Sequence, residues 1–120
     1  MTFEDGYVVL DNHGIKSWYK NGKLHRDGDL PASIIEPEPG KFWKFWYKNG
    51  VKHRGNDLPA LISNDLQQWC KFGMLHRDGG KPAVIYADGK EEYWIDGVRQ
   101  DEETDPMLNA FRRFLIEIED

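Results

Sequence analysis

Polar and apolar positions repeat along this chain in blocks rather than along one helix face. "WYKNGKLHRDGDLPA", residues 18–32, returns as "WYKNGVKHRGNDLPA", residues 46–60, and again as "WCKFGMLHRDGGKPA", residues 69–83. The first two blocks place Asn-Gly between short apolar runs, and the third places Phe-Gly there, which predicts a β-hairpin in each. Another apolar run, such as "PASII" or "PAVIYA", follows each Pro-Ala step and predicts a further strand.

The blocks keep a fixed register. Counted from the leading Trp, each carries Gly at +4, His at +7, Arg at +8, Pro at +13 and Ala at +14. A fourth, degraded copy begins at Tyr93 and has Gly97 at +4, but Gln100 and Asp101 replace His and Arg. Such short repeats are typical of arrays in which each unit covers a face of its neighbour.

The two-residue turn also decides which residues face each other across a hairpin. Counting outwards from the turn, the leading Trp faces the His, which gives the pairs Trp18–His25, Trp46–His53 and Trp69–His76. Opposite residues in an antiparallel pair have Cβ atoms ~5 Å apart, so we expect indole and imidazole to stack. The repeated Trp and His are therefore interpreted as one packing pair that occurs three times.

The end of the chain follows a helical period instead. Asp105 is suited to an N-cap and Pro106 to the first helical position. Six apolar residues share one face of this helix: Met107, Leu108, Phe111, Phe114, Leu115 and Ile118. The spacing predicts one helix near 106–118, which we expect to cap the sheet.

These patterns predict a mainly β domain, an antiparallel β-hairpin repeat array (a meander) with one C-terminal capping α-helix. The repeat sheet is expected over residues 1–104, with units near 14–36, 41–63, 66–87 and 90–101. The amphipathic helix and acidic tail, residues 105–120, are assigned to the same domain.

The charge is unevenly placed along the chain. Residues 1–100 carry 14 Lys/Arg and 14 Asp/Glu, whereas residues 101–120 carry two Arg and seven acids, which accounts for the net charge of −5. A nucleic-acid partner is disfavoured, because phosphate binding needs a basic excess on one face. The single cysteine, Cys70, excludes an intrachain disulfide framework. With no apolar run long enough to span a bilayer, we expect a cytoplasmic protein without a membrane partner.

The three copies of "HRDG..PA" or its variants, each with an aromatic strand and a Gly-bearing turn ahead, resemble the MORN-repeat variants. Similar repeats occur in uncharacterised bacterial, phage and large-virus proteins, and the resemblance covers about residues 14–100. It implies a non-enzymatic interaction scaffold and brings no catalytic residues with it. The third copy departs from the pattern with Cys70 for Tyr and Phe72 for Asn.

The residues themselves give no pattern for catalysis or for a metal. Equivalent histidines of successive units are expected two strands apart, roughly 9–10 Å, so one zinc ion cannot join them. Cys70 takes the place of Tyr19 and Tyr47, which favours a small buried residue over a reactive thiol. We therefore expect no enzyme, no metal and no cofactor.

Two features are candidates for a partner-binding surface. The Arg row shares one register and is expected to line one face, either paired with local acids such as Asp27, Asp57 or Asp78, or free to contact a protein. The long second hairpin, residues 36–48, adds two aromatic residues beyond the needs of the repeat. The predicted partner-binding residues are Lys41, Trp43, Phe45, Arg26, Arg54 and Arg77, with Pro39 in the same loop.

Two functions remain open at this point. The first is a non-enzymatic protein-interaction module which, by the family resemblance, a phage would encode as an inhibitor or adaptor of a host defence protein. The alternative is a nucleic-acid or nucleotide ligand-binding module that uses the Arg-aromatic face. Open sheet edges also leave a homodimer open.

Deletion of residues 105–120 tests the predicted cap. We expect the truncated protein to aggregate, because an uncovered end of a sheet array is a template for strand pairing. Size-exclusion chromatography beside the full chain gives the measurement. A truncated protein that stays monomeric and equally stable would show that the segment is not a cap.

Overall fold

The structure, a computed structural model of the chain, describes residues 6–9 and 14–100 as fifteen strands and no helix. The strands are β1 Gly6–Val9, β2 Ile15–Lys20, β3 Lys23–Leu24, β4 Ser33–Glu38, β5 Lys41–Phe45, β6 Tyr47–Lys48, β7 Val51–Lys52, β8 Leu61–Ser63, β9 Leu66–Gln68, β10 Cys70–Lys71, β11 Met74–Leu75, β12 Val84–Tyr86, β13 Glu91–Glu92, β14 Trp94–Ile95 and β15 Val98–Arg99. The helix predicted near 106–118 lies outside these residues. Within them, no helix has the length and apolar character needed to cross a membrane.

The longer strands form one antiparallel sheet. Its strand order is β1-β2-β4-β5-β8-β9-β12-β13, with β3 paired to the end of β2. Apart from the short hairpin strands this is the chain order, so each strand pairs with its neighbour in sequence. The prediction of a mainly β, antiparallel hairpin array is confirmed for the described residues.

The short strands form four hairpins beside this sheet, one for each unit. The first is the end of β2 with β3, and the others are β6–β7, β10–β11 and β14–β15. Both turn residues have positive φ, as a two-residue turn between twisted strands requires. These turn residues are Asn21-Gly22, Asn49-Gly50, Phe72-Gly73 and Asp96-Gly97. The four predicted turns are therefore confirmed.

The leading aromatic residue of units 2 to 4 lies where the chain leaves the main sheet for its hairpin. Trp46 follows β5 and precedes β6, and its backbone N–H donates to the carbonyl of Ala60 (2.8 Å). The N–H of Ala60 in turn donates to the carbonyl of Gln68, the residue before the next Trp (2.7 Å). The alanine thus lies between two units with its side chain fully buried. Such a place suits the smallest side chain that still restricts the backbone.

The four hairpins stack into a column through their turns. The N–H of each turn glycine donates to a carbonyl of the preceding hairpin: Gly50 to Leu24, Gly73 to Lys52 and Gly97 to Leu75, at 2.8, 2.8 and 2.9 Å. The N–H of the residue before that glycine donates to Nδ1 of the preceding histidine: Asn49 to His25, Phe72 to His53 and Asp96 to His76, at 3.0, 3.1 and 3.0 Å. The histidine therefore connects successive units.

Trp and His face each other across each hairpin, as predicted. The imidazole does not stack on the indole, however. In all three units the His N–H donates to the Trp carbonyl at 3.0 Å. An arginine of the same unit, instead of the imidazole, lies over each indole ring. The reason is that the second strand of each hairpin ends one residue before the His. The chain then folds back and carries the Arg over the ring.

The apolar core lies between the column and the main sheet. Trp46, Ala60 and Cys70 form its buried cluster, and Ile62 and Leu75 pack against it. Cys70 is thus a buried core residue, as expected. Its burial raises the pKa of the thiol, and Lys52 acts in the opposite direction.

The hydrogen bond from each hairpin turn to the preceding histidine, here called the histidine joint, makes stability depend on pH. Burial, with the positive charges of Lys48 and Lys71, lowers the pKa of His53 from its ordinary value of 6.5. The unfolded chain therefore binds this proton more readily, so stability present above about pH 6.5 is lost as the pH falls below that value. Protonation also removes the acceptor for the Phe72 N–H. The turn after His76 instead places a carboxylate of Asp96 3.2 Å from Nδ1.

We expect the urea midpoint of unfolding to be lower at pH 5 than at pH 7.5. A His53→Gln variant should be less stable at pH 7.5 and show a smaller change between the two pH values. The Asp carboxylates with a shifted pKa do not contribute to the change between pH 5 and 7.5, because their pKa values are lowered from 3.8. Equal pH dependence in both proteins would contradict the joint at His53.

Candidate functional site

The Arg row is built into the joints between units. The guanidinium carbon lies 3.7 Å from the indole centroid of Trp18 in the case of Arg26, 3.9 Å from Trp46 for Arg54 and 3.8 Å from Trp69 for Arg77. In each unit Nη1 also donates to the carbonyl of the Pro five residues later, at 3.2, 3.1 and 3.1 Å. Stacking and this hydrogen bond hold the guanidinium plane in one orientation.

The outer edge of the guanidinium binds an acid of the preceding unit. Arg54 Nε and Nη2 donate to the two carboxylate oxygens of Asp29 at 2.9 and 3.2 Å, and Arg77 binds Asp57 at 2.9 and 3.3 Å. Both aspartates have positive φ, and their carbonyls accept the indole N–H of Trp46 and Trp69. One residue thus supplies two contacts to the next unit. Hydrogen bonds from the arginines lower the pKa of both aspartates.

This geometry accounts for the repeated arginine without a partner. The side chains of Arg54 and Arg77 are only 12% and 13% exposed. Of the two open interpretations, pairing with acids holds for these two residues, although in both cases the acid belongs to the preceding unit. Arg26 differs, since no carboxylate pairs with it among residues 6–9 and 14–100. A partner-binding role for the row stays a prediction.

The long hairpin β4–β5 belongs to the main sheet. Trp43 lies between Ile35 and Ser63 on the neighbouring strands, and Phe45 lies between Ser33 and Leu61. Both rings are half-buried, while Lys41 is exposed and pairs with Glu38 at 3.1 Å. Asn64 fastens the turn, with hydrogen bonds of 2.8 Å to the Gly40 carbonyl and the Phe42 N–H.

Trp43 and Phe45 do not share a surface with Arg54. Phe45 and Trp46 are neighbours in an extended segment and so point to opposite sides, and Arg54 stacks on Trp46. The six predicted partner-binding residues are therefore divided between two faces. Their role in binding is still a prediction, but the structure does not bring them into one site.

A different surface is exposed in all four units. It is formed by the cross-strand pairs nearest the hairpin turns, on the side of the column away from the main sheet. We call it the tip face, and its residues are Lys20, Lys23, Lys48, Val51, Lys71, Met74, Ile95 and Val98 with the turn residue Phe72. All nine are exposed, whereas the other pair of each hairpin contains half-buried or buried residues.

The tip face changes in character along the column. Its pairs are Lys-Lys in unit 1, Lys-Val in unit 2, Lys-Met in unit 3 and Ile-Val in unit 4. Five of the seven large hydrophobic residues that are exposed in the described part of the chain lie here. One end of the surface is therefore basic and the other apolar, which a solvated face alone does not require.

Phe72 is the most exposed of these hydrophobic residues, at 65%. It has a φ of 50° where two other units have Asn, and this backbone conformation is costly for a bulky side chain. Its ring lies 4.7 Å from that of His53, tilted by 31°, so this contact uses one side of the ring. The remaining side faces solvent.

A polar cleft of about 360 Å³ lies between the loops of units 2 and 3, close to the tip face. His53, Gly55, Lys71 and His76 are among the residues that line it. Within the described residues, no group of three or more His, Cys, Asp or Glu side chains is arranged to hold a metal ion. Asp57 and Asp78 also line the cleft, so its wall carries side chains of both charges.

The sequence contained a signal for the tip face that a search for repeated positions passes over. Aligning the four units shows which positions vary while the frame is kept, and +2 and +5 vary from lysine to apolar residues. At +9, the units have Asp27, Gly55 and Asp78. Variation within the repeat, rather than the repeat itself, marks the candidate site.

No family model, curated protein or solved structure matches this chain. The resemblance to MORN-repeat variants therefore stays a prediction.

An Arg→Lys pair of variants tests the structural role of the row. Arg54→Lys should lower the free energy of unfolding by roughly 1–2 kcal/mol, because it removes the bidentate pair with Asp29 and weakens the stack on Trp46. Arg26 pairs with no acid in the described structure, so Arg26→Lys should lower the free energy of unfolding by less. Urea unfolding of both variants gives the comparison, and equal costs would contradict the assigned joint.

Proposed function

We propose that the protein is a non-enzymatic interaction module that binds a protein partner through the tip face. The observation that carries this proposal is the row of four exposed cross-strand pairs, basic in unit 1 and apolar in unit 4. Exposed apolar residues that cluster on one face are typical of binding surfaces. An inhibitor or adaptor of a host defence protein, as the family resemblance implies, is one such module.

The same pattern defines the chemistry of the partner. The tip face has lysines at its unit 1 end and Val, Met, Ile and Phe towards its unit 4 end. It therefore fits a segment whose acidic residues meet the lysines and whose apolar residues meet the apolar end. Charges of opposite sign steer the encounter, and burial of the apolar part supplies affinity. A nucleic acid would use the lysines but leave the apolar half uncovered.

Phe72 supports this proposal independently. The fold would be served better by Asn, which adopts positive φ at lower cost and occupies the same turn position in units 1 and 2. A strained aromatic residue that is largely exposed is suited to act as an anchor for a partner.

A double substitution that restores the tip of unit 1 in unit 3 tests the proposal. Phe72→Asn with Met74→Lys should leave stability within about 1 kcal/mol of the parent, because relief of backbone strain offsets the lost ring contact. The variant should lose the proteins that the parent captures from a lysate of its native host, as measured by quantitative mass spectrometry.

Leu30→Lys is the matched control. Leu30 is an exposed loop residue, 47% exposed, and lies outside the tip face. This variant should capture the same proteins as the parent. Retention of those proteins by the double variant would contradict the proposal. Capture that disappears after nuclease treatment and falls steeply between about 0.05 M and about 0.5 M NaCl would instead identify a nucleic-acid ligand.

A further inference from the structure

The histidines of the three units differ in the group that lies at Nε2. In units 1 and 3, Nε2 of the histidine is 2.7 Å from a carboxylate oxygen of Asp27 and 2.8 Å from one of Asp78, respectively. Nδ1 accepts the N–H of the next turn, so the ring proton is on Nε2 and is donated to the acid. In unit 1, Lys20 adds a contact to the same acid at 3.5 Å.

Unit 2 has the donors of this arrangement but not the acid. Gly55 stands where Asp27 and Asp78 stand, and no carboxylate within the described residues lies within 4.0 Å of a His53 ring nitrogen. Lys48 occupies the place of Lys20. Neither it nor Lys71 forms an ion pair in the part of the chain that the structure describes. The positive charges of both lysines contribute to the lowered pKa of His53.

The backbone does not require glycine at this position. Gly55 has a φ outside the left-handed region, and a Cβ added to it would meet no atom within 4 Å. The residues with positive φ in this loop are the next two, Asn56 and Asp57, and Asn56 takes the place of Gly28 and Gly79. The fold would therefore accept an acid at position 55, and its absence leaves an open space in the cleft.

This open space adjoins the tip face. Gly55, Lys71 and His53 line the cleft, and the ring of His53 stacks on Phe72. Lys48 and Lys71 are themselves tip-face residues. A hydrogen-bond donor and two lysines that form no ion pair with another described residue therefore lie near the most exposed hydrophobic residue of the tip face.

We propose that the space beside His53, Gly55 and Lys71, with Lys48 at the position that Lys20 holds in unit 1, binds a carboxylate supplied by an Asp or Glu side chain of the protein partner. That carboxylate takes the place that Asp27 and Asp78 fill in the other units: it accepts the Nε2 proton of His53 and pairs with the lysines. An apolar neighbour of the acid then contacts Phe72. The inference rests on the proposed function, since it states what the partner presents to the tip face.

Acetate is the probe that tests the site without the partner. The imidazole signals of the full-length protein are followed by NMR in sodium acetate and in sodium chloride of equal ionic strength. Acetate should shift the His53 signals and raise the midpoint of their titration, because a bound anion favours the charged imidazole. His25 and His76, which already have an acid, are internal controls and should not respond.

Two variants complete the experiment. Gly55→Asp supplies the missing acid from within the chain and should remove the acetate response of His53, without lowering the urea midpoint. It should also weaken partner capture about tenfold, since it replaces a charge-assisted contact of the partner. Gly55→Ala fills the Cβ position without charge and should keep both the acetate response and the partner.

The outcomes separate this site from the proposed function. Equal acetate shifts at all three histidines, or none at His53, would overturn the carboxylate site and leave the tip face to be judged by its Phe72 and Met74 variant. An acetate response at His53 with full partner capture by Gly55→Asp would overturn the claim that the partner supplies the acid. The inference is supported if Gly55→Asp loses both the acetate response of His53 and the capture of the partner, while Gly55→Ala keeps them.

Discussion

The hydrogen bond from each hairpin turn to the histidine before it is the contact on which the column depends. Two-residue strands cannot hold a hairpin in water by themselves, so each needs bonds to a neighbour. A turn with two positive φ values directs its N–H groups away from its own strands, and the preceding unit accepts both of them. A neutral imidazole reaches the second N–H and still donates its own proton from Nε2. This double role explains why the repeat uses histidine.

The contact also explains where the repeat changes. Unit 4 has no hairpin after it in the described structure, and Gln100 stands where the histidine acceptor would be. The Arg–Asp joint ends one unit earlier, because it is missing between units 3 and 4: Gly80 replaces the acid that would bind the next arginine, and Asp101 replaces that arginine. The acid and the arginine are replaced as a pair, since each forms this contact only with the other. Within the described residues, unit 4 therefore offers fewer of these contacts to a further hairpin than units 1 to 3 do.

The sequence predicted local structure well because the relevant residues lie close together in the chain. Turn type, hairpin pairing and the Trp–His facing follow from two to eight neighbouring residues, and all three are observed. The stacking partner of Trp was predicted wrongly, since the pattern did not show that the strand ends before the histidine. The joints were out of reach, because they connect residues such as Asn49 and His25, 24 positions apart. Arg54 and Asp29, 25 apart, present the same difficulty.

The contacts between units decide which positions of the repeat are fixed and which can vary. Position +7 in units 1 to 3, +8 in units 2 and 3 and +11 in units 1 and 2 are committed to contacts between units, so a change there disturbs the fold. Side chains at +2 and +5 are exposed in all four units, and in units 1 to 3 the +5 side chain lies beside the turn glycine of the next hairpin, so the fold tolerates lysine, valine, methionine or isoleucine at these positions.

Two departures go further than this tolerance allows. Phe72 places a bulky ring at a turn position that favours Asn, and Gly55 removes an acid that the backbone could carry. Neither change improves packing or hydrogen bonding within the unit that contains it. Both changes lie next to His53: its ring stacks on Phe72, and Gly55 replaces the acid that would bind its Nε2. These two departures at one histidine, beside the exposed ring of Phe72, are the observations on which the proposed carboxylate site rests.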